Sequence, residues 1–236
     1  MEVNIQTTAD GSQTLFVPEL DEHYHSIKGA LTESLHIFIY TGLNVCHAVE
    51  PRVLEIGFGT GLNAFLTLVE ADKGRKVHFT SLEKYPLPMD IISKMEYAKF
   101  VDEQYAPQYN AIHQAPWNVW CDITSLFRLR KMETDLTALP LKEKYDVVYF
   151  DAFAPEKQPE MWTQEIIQHI YEHLDEGGIF VTYCAKGCVR RMLQSAGFTV
   201  ERLAGPPNGK REILRGVKLI NNSSFASSAD ALLARS

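Results

Sequence analysis

Long apolar runs are missing from this chain. No stretch of its 236 residues approaches the roughly 18 consecutive apolar residues that a membrane-crossing helix needs. The N-terminal residues, MEVNIQTTADGSQ, are polar and hold no apolar signal-peptide segment. These absences predict a cytoplasmic location and no membrane partner. Cysteine is scarce: Cys46, Cys121, Cys184 and Cys188 are scattered. Cys184 and Cys188 are four apart, but no second ligand pair accompanies them. Buried, reduced thiols and no metal are therefore expected. Positive charge is not in excess either. The formal net charge is −7, which argues mildly against a nucleic-acid partner. Distribution counts for more than the total. Lys186, Arg190 and Arg191 form one basic cluster, Lys210, Arg211 and Arg215 a second, and Lys73, Arg75 and Lys76 a third. Each one, taken alone, reads most simply as a solvated face. No internal repeat is visible.

What is present is the composition and rhythm of one α/β domain. Apolar residues make up 45%, an ordinary share. The start reads as a β-hairpin, Val3 to Thr7 and Thr14 to Val17 around a turn at Ala9-Asp10-Gly11. Residues 29–43 read as a helix with a broad apolar face. Strands are expected near 52–56, 77–82, 127–133, 145–150, 178–184, 198–203 and 211–215. Helices are expected near 61–72, 88–99, 160–174 and 187–196. Such alternation predicts a seven-stranded, mostly parallel sheet with helices on both faces. The last two strands are joined by Ala204-Gly205-Pro206-Pro207-Asn208-Gly209, too short for a helical crossover, so they should pair antiparallel. The expected organisation is an N-terminal extension over 1–45, a core domain over 46–220 and a loose, Ser-rich polar tail over 221–236.

Residues 53–63, Val-Leu-Glu-Ile-Gly-Phe-Gly-Thr-Gly-Leu-Asn, carry the most information. A short apolar strand breaks into Gly57, Gly59 and Gly61 and feeds a helix. That arrangement makes a nucleotide-cofactor cradle, because glycine lets the backbone bend sharply and lets a ligand lie against it. The spacing is G-x-G-x-G, not the dinucleotide G-x-G-x-x-G. Glu55 sits in the strand end, where a carboxylate would repel a pyrophosphate but suits a cationic cofactor. The pattern resembles motif I of the class I S-adenosyl-L-methionine (SAM) methyltransferases. Glu83 ends the next strand, 22 residues beyond Gly61, at the place where an acidic residue accepts hydrogen bonds from two ribose hydroxyls.

Tyr145 to Phe150 (YDVVYF) is a strongly apolar strand, and Asp151 ends it. A carboxylate there could cap a turn. It could also hold a substrate ammonium, orient the lone pair as the proton leaves, and stabilise charge on a methylated product. Phe153, Pro155 and Trp162 could wall the pocket, and Trp162 could equally be core. Asp135 follows Phe127 to Thr134 and suits an acceptor for the adenine amino group, with Asp122 as a rival.

With these residues laid out, the chain resembles the MnmD family, stand-alone relatives of the methyltransferase domain of MnmC. The matching segments are Tyr24-His25-Ser26 with Gly29 to Leu35, Glu55 to Asn63, and Ser81 to Pro86. Further matches are Phe150 to Pro155 through Pro159 to Trp162, Val189-Arg190-Arg191 with Gly197-Phe198, and Gly209 to Glu212. The resemblance covers about residues 20–216. It implies SAM-dependent N-methylation of the 5-aminomethyl group of (2-thio)uridine at the tRNA wobble position. Glu55, Gly57, Phe58, Gly59, Gly61, Asn63, Glu83, Lys84 and Asp135 would hold SAM, and Asp151 would face the substrate amine. Tyr24, Ser26, Phe153, Pro155, Arg190, Arg191, Lys210 and Arg211 would contact the tRNA substrate. Thr134-Asp135 stands where the family usually has Gly-Asp. The absence of a flavin-dependent oxidoreductase segment predicts a methyltransferase alone, supplied with aminomethyl-uridine by a separate enzyme. The rival readings are aminopropyl transfer as in spermidine synthases, methylation of a small molecule or protein, and a non-catalytic binding module.

Overall fold

The computed structural model describes residues 2–138 and 141–220. The expected tail over 221–236 lies outside the described residues. The chain opens with β1 (Asn4–Thr7), β2 (Gln13–Val17) and the short β3 (Glu22–His23), which form a small antiparallel sheet. Helix α1 (Ala30–Ser34) runs straight into a π-helical stretch, Leu35–Tyr40. The Asp10 carboxylate from the first turn accepts from the Thr32 backbone N–H at 2.9 Å, so one residue both shapes the hairpin and caps the helix.

The core then alternates. It runs β4 (Arg52–Ile56), α2 (Leu62–Ala71), β5 (Val77–Glu83), α3 (Met89–Ile92), α4 (Tyr97–Val101), α5 (Ala106–Gln114), β6 (Trp120–Asp122) and β7 (Phe127–Glu133). It continues with β8 (Tyr145–Phe150), α6 (Gln164–His173), β9 (Leu174–Thr182), α7 (Gly187–Ala196), β10 (Thr199–Ala204) and β11 (Glu212–Val217). One sheet holds the strands in the order β10-β11-β9-β8-β4-β5-β7-β6. Strands β7, β5, β4, β8 and β9 run parallel, and β11 runs antiparallel to both β9 and β10. The seven expected strands all form, and the closing hairpin is antiparallel as expected. The three-residue β6 adds an eighth strand at the edge.

Three expectations shift. The helix expected over 88–99 is two helices, because Glu96 takes a left-handed conformation (φ 49°) between them. Helix α5 was not read from the sequence. Strand β9 starts at Leu174, before the expected 178, since Leu174 already pairs with Tyr145 and a bulge absorbs the residues up to Ile179.

The central strands are buried on both faces, as parallel strands must be. Along β4, Val53 joins the cluster packed under α2 and α5, while Leu54 and Ile56 join the one under α6 and α7. The sheet order reverses between β4 and β8, which opens a crevice at their carboxyl ends. Among the described residues no helix is long and apolar enough to cross a membrane.

Candidate active site

A cavity of about 330 Å³ opens at this reversal. Its floor comes from the loops after β4, β5, β7 and β8, and its roof from residues 22–27 and Glu33. Gly57 (φ 94°) makes the sharp exit from β4, and a Cβ there would lie 2.8 Å from the Asp151 carbonyl oxygen. Gly59 N–H donates to Glu83 Oε2 at 2.9 Å, and Tyr85 N–H donates to Glu83 Oε1 at 2.8 Å. The carboxylate at the end of β5 thus shapes the glycine loop and still has lone pairs facing the cavity.

Asp151 lies where β8 ends. Its backbone N–H donates to Ile56 O at 3.0 Å, and its Oδ2 accepts from Asn63 Nδ2 at 2.8 Å. Burial pushes its carboxyl up to about 7; the Asn63 bond and Lys210 act against that shift, while Glu33 adds to it. Tyr24 and Phe153 meet edge to face at 5.2 Å beside it. Tyr183 O–H donates to Ala152 O at 2.9 Å, and Lys210 Nζ lies 3.6 Å over the Tyr183 ring. His25, buried in the roof, bonds through Nε2 to Thr60 Oγ1 at 2.9 Å, and burial lowers its pKa to about 4.

Of the residues singled out by sequence, Gly57, Phe58, Gly59, Glu83, Lys84, Asp135, Asp151, Tyr24, Ser26, Phe153 and Lys210 line the cavity. Glu55 does not. Strand alternation turns it beneath the loop, where it is fully buried and accepts from Ser81 Oγ at 2.5 Å. Burial raises its pKa well above the usual carboxyl range. Gly61 is covered by the His113 ring. Asn63 sits in the first turn of α2 and reaches the cavity only through Asp151. Pro155 lies outside the cavity wall, where Gln158 and Met161 stand instead. Trp162 is core: it packs on Phe150 at 4.8 Å, and its indole N–H donates to Phe153 O at 2.7 Å.

Asp135 faces the cavity and pairs with Lys84 at 2.8 Å, a bond that holds its carboxyl below the usual range. Asp122 is exposed on β6, opposite Arg128 near the start of β7, at the other end of the sheet. Arg190, Arg191 and Arg211 stand outside the cavity. Arg190 and Arg211 are close enough for their charge to lower the Glu212 pKa, and Arg202 pairs with Glu212 at 2.6 Å. The third basic cluster is structural: Arg75 donates to the carbonyls of Leu43, Cys46 and Ala48 at 3.0, 2.6 and 2.6 Å. Cys46 and Cys184 are buried, but Cys188 is exposed, because it sits on the outer side of α7. Sequence reasoning missed Glu22, Glu33, Leu136, Gln158 and Tyr183 as cavity residues.

A sheet that reverses between β4 and β8 and is closed by the inverted β11 is the fold of class I methyltransferases. The chain belongs to a family of that class: residues 95–219 match the family described as S-adenosyl-L-methionine-dependent methyltransferase. Its relatives are proteins named tRNA 5-methylaminomethyl-2-thiouridine biosynthesis bifunctional protein MnmC. That of Pseudomonas fluorescens is 33% identical over 211 residues, 83% of this chain and 32% of the relative. That of Paraburkholderia xenovorans is 30% identical over 208 residues, 81% of this chain and 32% of the relative. The chain thus spans about a third of the length of these relatives. The crystal structure of MnmC2 from Aquifex aeolicus is similar with TM-score 0.70 and 28% identity, covering 91% of this chain and 70% of that one. Spermidine synthase from Thermotoga maritima shares the fold, with TM-score 0.56 and 16% identity. The MnmD resemblance read from the motifs stands.

The cofactor is SAM, and the cavity fits it. Gly57 and Gly59 leave the loop open to close approach, and Ile56, Phe58, Leu82 and Leu136 give an apolar slot for a flat base. Glu83 has acceptor capacity to spare.

Proposed function

We propose that this chain transfers a methyl group from SAM to the 5-aminomethyl group of (2-thio)uridine at the tRNA wobble position, giving 5-methylaminomethyl-(2-thio)uridine. The observation that carries this reading is Asp151: a carboxylate with pKa near 7, held by Asn63, in the cavity where the glycine loop ends. The names of the MnmC relatives supply the substrate class.

SAM brings a methyl group already activated on a sulfonium, so the protein must mainly align and exclude water. Glu83 would accept from the ribose hydroxyls and Asp135 from the adenine amino group, and Phe58 and Leu136 would flank the base. Asp151 binds the substrate as its ammonium and takes one proton, which frees the nitrogen lone pair. A carboxyl poised near neutral pH is suited to that exchange. Tyr24 and Phe153 wall the amine's approach. Residues 1–45 act as a lid-like extension on the core at 46–220. The face holding Arg190, Arg202 and Arg211 contacts tRNA phosphates.

The test is methyl transfer from labelled SAM to tRNA that carries 5-aminomethyluridine, followed by nucleoside mass spectrometry. Appearance of 5-methylaminomethyluridine is the expected result. Tight SAM binding with no change in that nucleoside would overturn the tRNA reading and turn attention to small amines. The acidic cavity, with Glu22, Glu33 and Asp151, suits those too.

A further inference from the structure

Glu33 stands in the roof of the cavity on α1, two residues before the π-helical stretch. It is only 9% exposed. Its Oε2 accepts from the Ser26 backbone N–H at 2.9 Å. Its Oε1 is buried and has no hydrogen-bond partner within the protein. A buried carboxylate oxygen left unpaired costs on the order of 1–3 kcal/mol, and more when charged. Glu33 lines the cavity, so an unpaired oxygen on its carboxyl marks the place of a missing donor that a small turn of the side chain would bring within reach.

The surroundings specify that donor. Asp151 faces the same cavity from the end of β8, and Glu33 lies near enough to raise its pKa. Glu22 on β3 adds negative charge, Lys210 before β11 adds the opposing positive charge, and Tyr183 after β9 completes the group. Glu22 and Asp151 make this pocket wall acidic, and an anionic or carbonyl ligand would set its own oxygen against that of Glu33. An ammonium, with three N–H donors, suits both carboxylates.

We infer that Glu33 is a second acceptor for the substrate amine, which binds with one N–H on Glu33 Oε1 and another on Asp151. This rests on the amine-methylating reading above. In the reaction the ammonium gives one proton to the Asp151 carboxylate and becomes a neutral amine. The nitrogen lone pair then forms the N–C bond as the donor's S–C bond breaks, with that electron pair staying on sulfur. Two hydrogens remain on nitrogen, one for each acceptor. The lone pair, freed where the proton left towards Asp151, is brought to the methyl group by rotation about the C–N bond, and the two remaining N–H bonds then settle on Glu33 and Asp151. Asp151 acts as base, and Glu33 holds the angle.

The test compares wild type and Glu33→Gln on tRNA bearing 5-aminomethyluridine, with SAM affinity measured by calorimetry. Glutamine keeps the bond to Ser26 and puts a donor where the acceptor was. The expected result is a fall in kcat of at least about tenfold for Glu33→Gln, with SAM affinity within about twofold of wild type. Burial raises the Glu33 pKa against the pull of Lys210 and the Ser26 N–H, so where Glu33 is ionised its removal should move the acidic limb of the rate profile to lower pH. The same downward move should appear in the Asp151 titration followed by carboxyl carbon NMR on the SAM-free protein. An unchanged kcat with an unmoved titration overturns the assignment, as does a parallel loss of SAM affinity, which would make Glu33 structural. Wild type that leaves the 5-aminomethyl group unmethylated overturns the tRNA reading, whereas an unmoved Asp151 titration in Glu33→Gln overturns the Glu33 assignment whatever the amine.

Discussion

Asp151 is subject to two opposed demands. Catalysis asks for an ionised carboxylate, and a dry pocket makes ionisation costly. Its carboxyl, near 3.8 in an unfolded chain, rises to about 7 when folded. The folded state therefore binds the proton more tightly. This contribution to stability is full below pH 3.8 and is lost as the pH rises through 7. Asp151→Asn should raise the melting temperature at pH 8 by roughly 3 °C or more, since it removes a buried charge but keeps an Asn63 partner. The same variant should lower kcat by about 10²–10⁴, with SAM affinity little changed. Calorimetry and a rate assay check the pair. His25 works the other way. The unfolded imidazole takes a proton near 6.5, the folded one only near 4, so its contribution is full above 6.5 and fades as the pH falls through 4. Acidification towards pH 4 should loosen the roof before the core. Hydrogen exchange at residues 22–27 should rise ahead of global unfolding, and His25→Gln should flatten that pH dependence. Asp151, Glu83 and the glycines were legible because each ends or leaves its own strand. Glu33 was not: nothing in ALTES says that one residue of a short helix meets a carboxylate 118 positions away.

Among elements, the loop between β4 and α2 is set by contacts outside itself. Gly57→Ala would add a Cβ 2.8 Å from the Asp151 carbonyl at a φ of 94°. The strain is worth about 1–3 kcal/mol, and it falls on the backbone that carries the Asp151 carboxylate. The expected outcome is a loss of SAM affinity and of kcat together, read by calorimetry and initial rates, where Asp151→Asn loses only rate. The major strands were readable because burial on both faces writes near-continuous apolar runs, as in YDVVYF. Lys131 shows the limit. It lies in register with Phe127 and Leu129 on the inward side of β7 and is 1% exposed. Its ammonium donates to His113 O at 2.7 Å and rests 5.4 Å above Phe58. Period-two alternation placed it inside, and its charge hid it. Helix α5 and β6 stayed unread because their sequences, APQYNAIHQ and WCD, carry little periodicity and take their form from packing on α2 and β7.

For the whole molecule, net charge does not describe how charge is distributed. A chain at −7 still brings Arg190, Arg202 and Arg211 close to Glu212. Binding of tRNA should weaken steeply between about 50 and 200 mM salt, and replacing Arg190 and Arg211 with alanine should reduce the log–log slope by about one for each phosphate no longer neutralised. Fluorescence anisotropy at several salt concentrations measures both, and an unchanged slope would place the tRNA elsewhere. The meeting of these residues was invisible in sequence because it depends on β11 bringing Arg211 back beside α7.

That strand also imposes an order in time. β11 lies between β9 and β10, yet it is made after both. A ribosome adds about 5–20 residues each second, so for a while β10 is outside the tunnel with no edge to join. Meanwhile β4, β5, β7 and β8, which surround the glycine loop, are already available to one another. Lys210, which closes the substrate side over Tyr183, arrives only with the final strand. The nascent protein can therefore shape its cofactor cradle before it owns a finished pocket for anything to methylate.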